Sequence, residues 1–328
     1  MTKELTLPQP RLWRNQTSIA ILSLCIAVVC ISVAAIFIKL CEQEISPYAT
    51  AFNRFWVTTV ILGLWRGVNG GRTQDLSDTA EEISEMALET CSISGAVLWQ
   101  LVLVGIFLAA DLLLWSWSLT QTSVANATLL ANLTPLFTSL GMWGIWGKQF
   151  DRKFVIGMIV ALLGAIALGV GDLNVHPSKL TGDVAAILAA LSFAGYLFVL
   201  EKLQLRLPAL TITRWSSAIA SVALLPFVIF NHEHIFPTSW QGWLAVIGLA
   251  LICQILGQVC LVQSLNRLSC GFVAIFLLLE PILAAFEAWV VFSETLSILN
   301  WLAFAVVLLG IYLALCSQSS LKDASEYA

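Results

Sequence analysis

Charged side chains stand inside long apolar runs of this 328-residue chain, and they are its first candidates for chemistry. Arg54 and Asp111 interrupt two runs, while Glu280 and Glu287 share the stretch "IFLLLEPILAAFEAW", residues 275 to 289. Residues seven positions apart lie on roughly the same face of a helix, so the two glutamates can point to one side. An arginine in apolar surroundings can grip a carboxylate, and a buried glutamate can bind a cationic group or cycle a proton.

The composition indicates whether these groups lie in water or in a membrane. Hydrophobic residues make up 59% and charged residues 11% of the chain, and the mean hydropathy is +0.89. Ordinary soluble domains are about 45–50% apolar and about 25% charged. The chain is therefore predicted to be an integral membrane protein surrounded by the lipid bilayer. Its net charge of −4 offers no basic surface for nucleic acid, so that class of partner is excluded.

The apolar runs are long enough to cross a bilayer as helices, which takes about 20 residues. The first run is too long for the apolar core of a secretory signal, about 7–15 residues, so it is predicted to remain as a spanning helix. We predict an all-α fold of ten transmembrane helices, at about 18–40, 47–66, 95–119, 123–146, 154–171, 183–200, 208–230, 240–263, 270–292 and 298–316.

Lysine and arginine are distributed unevenly between the two ends of these runs. Of the 16 such residues, only Lys39 and Lys179 fall at one set of ends, and Arg54 and Arg214 fall within runs. All the others fall on the side of the N-terminus, which the positive-inside rule places in the cytoplasm. We therefore predict a multi-pass protein of the plasma membrane, or of the inner membrane in a bacterium, with both termini inside.

Three polar segments complete this arrangement on the cytoplasmic side. Residues 1–17 and 317–328 are predicted tails, and residues 67–94 form an acidic loop between the second and third helices. Asp78 and Glu81 have the spacing of a helix capping box, which favours a short helix in the loop. A solvated linker is the alternative.

The chain also contains an internal repeat. The stretch "SLTQTSVANATLLANLTP", residues 118–135, matches "SLNRLSCGFVAIFLLLEP", residues 264–281, without a gap. The matched pairs 146 positions apart include Ser118/Ser264, Ser123/Ser269, Leu133/Leu279, Pro135/Pro281 and Gly164/Gly310, and pairs 160 apart include Ser32/Ser192, Ala34/Ala194 and Arg54/Arg214. Residues 18–171 and 183–316 are therefore predicted to form two repeats of five helices.

An odd number of helices in each repeat makes the second copy enter the membrane from the opposite side. Such inverted repeats are typical of secondary transporters, which expose a site near the bilayer midplane alternately to the two sides. The pattern therefore predicts a permease that carries a small molecule.

The repeated motif resembles that of the EamA-like transporters of the drug/metabolite transporter superfamily. The second copy reads "LEPILAAFEAWVVFSETLSILNWLAFAVVLLGIYLAL", with Pro281, Glu294 and Gly310 at the expected places. The first copy departs from the family pattern, because Lys148 stands where the family usually has Glu; in the second, Ser293 replaces a Gly. The resemblance implies transport of small organic solutes such as amino acids, nucleosides, metabolites or drugs, often as efflux.

Arg54 and Asp111 are predicted to lie at matched depth on adjacent helices, about 10–12 Å below one membrane surface. They could form a buried structural pair, or Arg54 could bind a substrate carboxylate; both interpretations stay open. Gln254 takes the place of Asp111 in the second repeat, so Arg214 has two alternatives: its side chain reaches the membrane surface, or it pairs with Glu280.

Glu280 is the deepest carboxylate, and the adjacent Pro281 removes a backbone hydrogen bond. Pro135 and Pro281 are predicted to break their helices near the midplane, where transporters bind ions or substrates. Glu280 would bind a cationic group or cycle a proton, or it would only pair with Arg214. Further candidates for the site, each also able to serve in helix packing, are Trp115, Asn132, Tyr196, Gln254 and Gln258.

Two other functional classes compete with a transporter. An enzyme is disfavoured because the chain has no HExxH, GxSxG or phosphate-loop motif, and His176, His232 and His234 all fall in predicted loops. No cofactor or metal site is expected. A channel would need a repeated selectivity filter, which the sequence lacks. The expected partners are a small-molecule substrate and the bilayer; a coupling proton or ion, and a homodimer, are left open.

Overall fold

The computed structural model describes residues 10–70, 95–122, 124–169, 180–230, 234–292 and 298–321. Within these ranges the chain is helical apart from loops and one isolated antiparallel bridge between Leu268 and Leu321, which confirms the all-α prediction there. The predicted acidic loop lies mostly outside them, as do His176, His232, Ser293 and Glu294. The α-helices are α1 (Pro10–Ser32), α2 (Ala34–Cys41), α3 (Pro47–Gly70), α4 (Gly95–Gln121), α5 (Val124–Ala131), α6 (Thr134–Trp146), α7 (Arg152–Gly169), α8 (Leu180–Leu203), α9 (Ala209–Phe230), α10 (Trp240–Gly248), α11 (Gln258–Ser264), α12 (Cys270–Leu277), α13 (Glu280–Phe292) and α14 (Ile298–Leu315).

Seven helical segments of the described chain are long and apolar enough to cross a membrane. The remaining three predicted spans coincide with α3, with α5 and α6 together, and with α7, so helices occupy all ten predicted runs. The count of ten membrane crossings remains a prediction. The seven segments are Thr17–Cys41, Gly95–Gln121, Leu180–Leu203, Ala209–Phe230, Trp240–Ser264, Cys270–Glu287 and Ile298–Leu315.

Two helices are interrupted at equivalent places in the proposed repeats. The chain leaves helical geometry between α5 and α6, at residues 132–133, and between α12 and α13, at residues 278–279. Pro135 and Pro281 are each the second residue of the helix that follows, where the missing N–H of proline is tolerated. Glu280 begins α13, so its carboxylate lies beside the positive end of that helix.

Glycine allows α7 and α14 to approach until their backbones touch. A Cβ added at Gly157 would lie 2.7 Å from the carbonyl oxygen of Gly310, and one at Gly164 would lie 2.8 Å from the backbone nitrogen of Val307. A Cβ at Gly310 would lie 2.7 Å from the Cα of Ala161. The small residues at this crossing therefore take the role that close-packed glycines have in membrane helix pairs.

The helix that carries both glutamine candidates is irregular. Between α10 and α11, residues Leu249–Gly257 form a nine-residue π-helix with Gln254 inside it. A π-helix is wider than an α-helix, is rare, and is frequently found at functional sites. Gln254 lies inside this segment and Gln258 begins α11 directly after it, and both side chains are buried.

Candidate functional site

Arg54 lies at the centre of a buried polar contact that joins three helical segments. Its side chain, on α3, is 8% exposed, and its Nε donates a 2.7 Å hydrogen bond to Oε1 of Gln254. Gln254 is 0% exposed, and its Nε2 donates at 3.3 Å to Oγ of Ser217 on α9. Because the amide is held from both ends, it fixes the guanidinium of Arg54 in one orientation.

Three candidate side chains surround this guanidinium at longer range. Arg54 interacts electrostatically with Glu280, Tyr196 and Asp111, and Asp111 also interacts with Glu280. The predicted partners Arg54 and Asp111 are thus in one cluster. Within the described ranges, however, no direct ion pair joins them, and nothing accepts a hydrogen bond from the terminal nitrogens of Arg54. The cation is therefore near two acids while its outer N–H groups remain available.

Glu287 lies next to this cluster and ties α13 to α1. Oγ of Ser32 donates a 2.7 Å hydrogen bond to Oε1 of Glu287, and Glu287 interacts electrostatically with Glu280. The other oxygen, Oε2, is buried and has no hydrogen-bond partner in the part of the chain that the structure describes. Glu287 therefore retains one acceptor for a donor that this conformation does not supply.

The other predicted residues occupy different positions. Tyr196 is buried and donates a 2.8 Å hydrogen bond to Oε1 of Gln258, which joins α8 to α11. Arg214 has its guanidinium carbon 5.5 Å from the ring centroid of Trp215. Asn132 is at the interruption between α5 and α6. Tyr196 and Gln258 thus act as a bond between helices, next to the Arg54 cluster.

A narrow cavity extends to Arg54 from the end of the bundle where α2 and α3 meet. Its walls include Thr50, Trp115 and Leu249, and Glu42 lies at the end of α2. The volume is about 20 Å³, which is room for about one water molecule. Sequence reasoning missed Thr50 and Glu42. The spacing of four residues between Thr50 and Arg54, which places both on one helix face, was the available signal for Thr50.

Glu44 closes part of this same end. Its carboxylate accepts hydrogen bonds from the backbone nitrogens of Thr238 and Ser239, both at 3.0 Å, and from both hydroxyl groups. Ser239 is the N-cap of α10, so the loop 42–46 is joined to the loop before that helix. The hydrogen bonds from Ser239 and Thr238 hold the pKa of Glu44 below its ordinary value of 4.5.

The Glu44 contact is expected to make stability depend on acid pH. A carboxyl whose pKa is lowered by folding stabilises the native state above the unfolded pKa, and this contribution is lost as the pH falls through the lower, folded value. We expect the melting temperature of the purified protein to fall between about pH 5 and pH 3. The Glu44→Gln variant should start lower at pH 7 and show a shallower fall. Identical slopes in the two proteins would contradict this assignment.

At the opposite end of the bundle, Asp151 is hydrogen-bonded to a C-terminal strap, which we define as residues 317–321. Asp151 accepts hydrogen bonds from the hydroxyls of Ser317 and Ser319 and from the backbone nitrogen of Phe154. Burial alone would raise the pKa of Asp151, but these hydrogen bonds hold it below its usual range. These residues belong to the predicted tail 317–328, and they join the loop before α7 to the rest of the bundle.

The strap also contacts the loop before α12. The backbone nitrogen of Ser269 donates to the carbonyl of Ser320 at 3.0 Å, and the Ser269 hydroxyl donates to that of Ser319 at 2.9 Å. The backbone nitrogen of Cys270 donates to Glu201 at 3.1 Å. Segments from both proposed repeats therefore meet at this end, whereas the cavity approaches Arg54 from the other.

Comparison with known proteins gives a consistent family. The model of the EamA-like transporter family matches the chain twice, over residues 18–170 and 180–316. An uncharacterized transporter of Archaeoglobus fulgidus is 24% identical over 86% of this chain and 92% of its own length. The pseudopaline exporter CntI of Pseudomonas aeruginosa is 23% identical over 59% of this chain and 66% of its own.

Two further similarities concern an exporter and the fold. A probable amino-acid metabolite efflux pump of Salmonella typhimurium is 26% identical over 57% of this chain and 66% of its own length. A solved crystal structure superposes with a TM-score of 0.71 at 19% identity, covering 90% of this chain and 96% of that one. At this level of identity the superposition shows a shared fold.

Proposed function

Because the chain belongs to the EamA-like transporter family, we propose that it is a secondary transporter that moves a small organic metabolite by alternating access. It is a multi-pass integral membrane protein. Two of its relatives are named as an exporter of pseudopaline and a probable efflux pump for amino-acid metabolites. Export of an amino-acid-like metabolite is therefore the activity we propose for this chain.

We propose that residues 18–171 and 183–316 are inverted five-helix repeats within a bundle of ten spans. The helix interruptions at residues 132–133 and 278–279 are 146 positions apart, the same spacing as the sequence repeat. The crossing of α7 and α14 supports the same symmetry. Gly164 faces Val307, and Ala161 faces Gly310. Gly164 and Gly310 are 146 positions apart, as are Ala161 and Val307, so the repeat maps one contact onto the other. A two-fold axis through the crossing explains that reciprocity.

The proposed orientation places the Asp151 end and both tails in the cytoplasm. It follows from the distribution of lysine and arginine. In this orientation the cavity approaches Arg54 from the outside, and the strap closes the inner end. Alternating access would then require the hydrogen bonds of Asp151 to separate while the Glu44 end closes further.

The dimensions of the cavity favour a carrier over a channel. A free volume of about 20 Å³ leaves no open path for an organic solute. A solute can reach Arg54 only if the helices separate, and such a movement limits flux to one cycle per bound molecule. Saturable transport is therefore expected.

The observation that carries the proposal is the cluster of Arg54, Asp111 and Glu280 beside the helix interruption. Charged groups inside a membrane span cost about 2.5–3.5 kcal/mol on insertion scales, and they are usually retained for transport. Glu280 begins a broken helix and interacts with Arg54, so gain or loss of its proton would change the charge of the cluster. We propose that Glu280 couples solute movement to a proton or a cation.

Counterflow in proteoliposomes tests this function. Purified protein would be loaded with unlabelled amino acids, nucleosides or amino-acid-derived metabolites, and uptake of the labelled compound would be measured from pH 5 to pH 8. We expect saturable counterflow for at least one class. The Glu280→Gln variant should lower the rate about 100-fold or more and flatten its pH dependence, as expected for loss of a proton-transfer group.

The matched control is Asp183→Asn, which also removes one carboxylate charge. Asp183 accepts a 2.8 Å hydrogen bond from Thr122 at the end of α8, away from the Arg54 cluster, and an amide oxygen can accept the same bond. Its rate and pH profile should match those of the wild type. Flux that never saturates would favour a channel, and an unchanged Glu280→Gln profile would remove the coupling role.

A further inference from the structure

We propose that the cavity beside Arg54, once the surrounding helices move apart, binds elongated zwitterions, with the carboxylate of the solute on Arg54 and Thr50 and its cationic group near Glu42. This inference rests on the proposed transport function, because it names the substrate class of the same protein. The ligand class is set by two opposite charges at the ends of one apolar cavity.

At the deep end of the cavity, the guanidinium of Arg54 can bind a carboxylate. The Nε of Arg54 donates its hydrogen bond to Gln254, so the two terminal nitrogens can donate to the ligand. A guanidinium held in this way can bind a carboxylate through two parallel hydrogen bonds. Asp111 and Glu280 interact with Arg54 but do not line the cavity, so an entering carboxylate meets the cation first.

Thr50 supplies independent support for a ligand-binding site here. The side chain lines the cavity and is 2% exposed, and its hydroxyl has no hydrogen-bond partner in the described chain. A buried hydroxyl without a partner destabilises the folded protein, so such groups are usually satisfied. Thr50 lies one helical turn before Arg54, where it can donate to the carboxylate that Arg54 holds.

Glu42 sets the length of the ligand. It is an exposed residue of the cavity wall and follows the last residue of α2. Arg54 is seven residues inside α3 from Pro47, which separates it from the mouth by about 10 Å at 1.5 Å per residue. The walls between them include Ile38, Leu112 and Leu249, which suit an apolar linker. An α-amino acid, with adjacent charges, is too short to reach both ends.

A homologous series of ω-amino acids tests this length directly. Affinities of glycine through 12-aminododecanoate would be measured by thermal shift on the purified full-length protein in nanodiscs. With bonds of about 1.52 Å and angles of about 111°, an extended carbon chain advances about 1.25 Å per bond. Affinity should therefore peak near eight carbons. At the best length, the amide of the carboxyl group and the N-acetyl derivative should each bind at least 10-fold more weakly than the zwitterion.

Substitutions of Thr50 and Glu42 test which end of the cavity binds each charged group of the ligand. Thr50→Val should weaken the zwitterion 3-fold to 10-fold and leave the weak binding of the amide unchanged. Glu42→Gln should weaken the zwitterion and leave the N-acetyl derivative unchanged. The matched control is Thr59→Val on the same helix, whose hydroxyl donates to the carbonyl of Phe55 and is absent from the cavity. It should not alter any affinity.

The results separate this inference from the transport function. Equal binding of acid and amide, an optimum at glycine, or no binding by any member of the series would each overturn the inference. Counterflow of another solute would leave the proposed function intact in those cases. Length-dependent zwitterion binding without counterflow would instead support the site and overturn the transport function.

Discussion

The Gln254→Met variant is expected to lose about 3 kcal/mol or more of its free energy of unfolding, because it leaves a buried arginine without its acceptor. Oε1 of Gln254 accepts the Nε hydrogen of Arg54 at 2.7 Å, and neither side chain is more than 8% exposed. Methionine has a similar shape but cannot accept this hydrogen bond. The cost of a desolvated, unpaired charge then falls on the folded state alone.

A double-mutant cycle separates the lost bond from lost packing. The Arg54→Met/Gln254→Met protein removes both partners, so its unfolding free energy should recover a large part of the loss, as removal of both members of a buried polar pair often does. Equilibrium unfolding in mixed micelles measures all four proteins. The double variant should still fail to transport, because Arg54 itself is absent.

Gln258→Met provides the matched comparison on the neighbouring helix. Its oxygen accepts a hydrogen bond from the neutral Tyr196 hydroxyl at 2.8 Å, and leaving a buried neutral hydroxyl unpaired costs about 1–3 kcal/mol. The loss should therefore be smaller than in Gln254→Met, where a buried charge loses its acceptor. Equal losses in the two variants would mean that the charge on Arg54 does not determine the effect.

The helical runs could be predicted from sequence because lipid exposure requires continuous apolar stretches with internally satisfied backbones. The described helices overlap all ten predicted runs, although α1 begins at Pro10, eight residues before the predicted start. Pro135 and Pro281 also indicated where the helices are interrupted, since the missing N–H of proline is best tolerated near a helix start, although Pro226 lies inside α9. Both features depend on residues close together in the sequence, so they can be predicted from the sequence alone.

The partner of Arg54 could not be predicted, because it depends on contacts between residues 200 positions apart. Depth arguments favoured Asp111 as a neighbour, and Asp111 does lie in the same electrostatic cluster. Gln254 bonds to Arg54 and Ser217 from within a π-helix, and the apolar sequence of that segment carries no sign of the wider turn. The strap shows a similar limit: a short polar segment reads as a tail, although Asp151 fixes it through serine hydroxyls.

Gly310→Ala is expected to destabilise the protein by about 3 kcal/mol, at the upper end of the usual cost of overpacking. Its new Cβ would lie 2.7 Å from both the Cα and the Cβ of Ala161, well inside van der Waals contact. The clash involves backbone atoms of α7, so a change of side-chain rotamer cannot relieve it. The two helices must move apart along their whole crossing, which also separates Gly157 from Ala314.

Gly63→Ala is the control, because a Cβ at Gly63 would meet nothing within 4 Å. Alanine is the better helix former by up to about 1 kcal/mol, so this variant should be neutral or slightly stabilised. Adding Ala161→Gly to Gly310→Ala removes only one of the atoms that clash and should recover less than half of the loss. Full recovery would mean that side chains alone set the distance between α7 and α14, and equal stability of Gly310→Ala and Gly63→Ala would mean that the two helices are not in backbone contact.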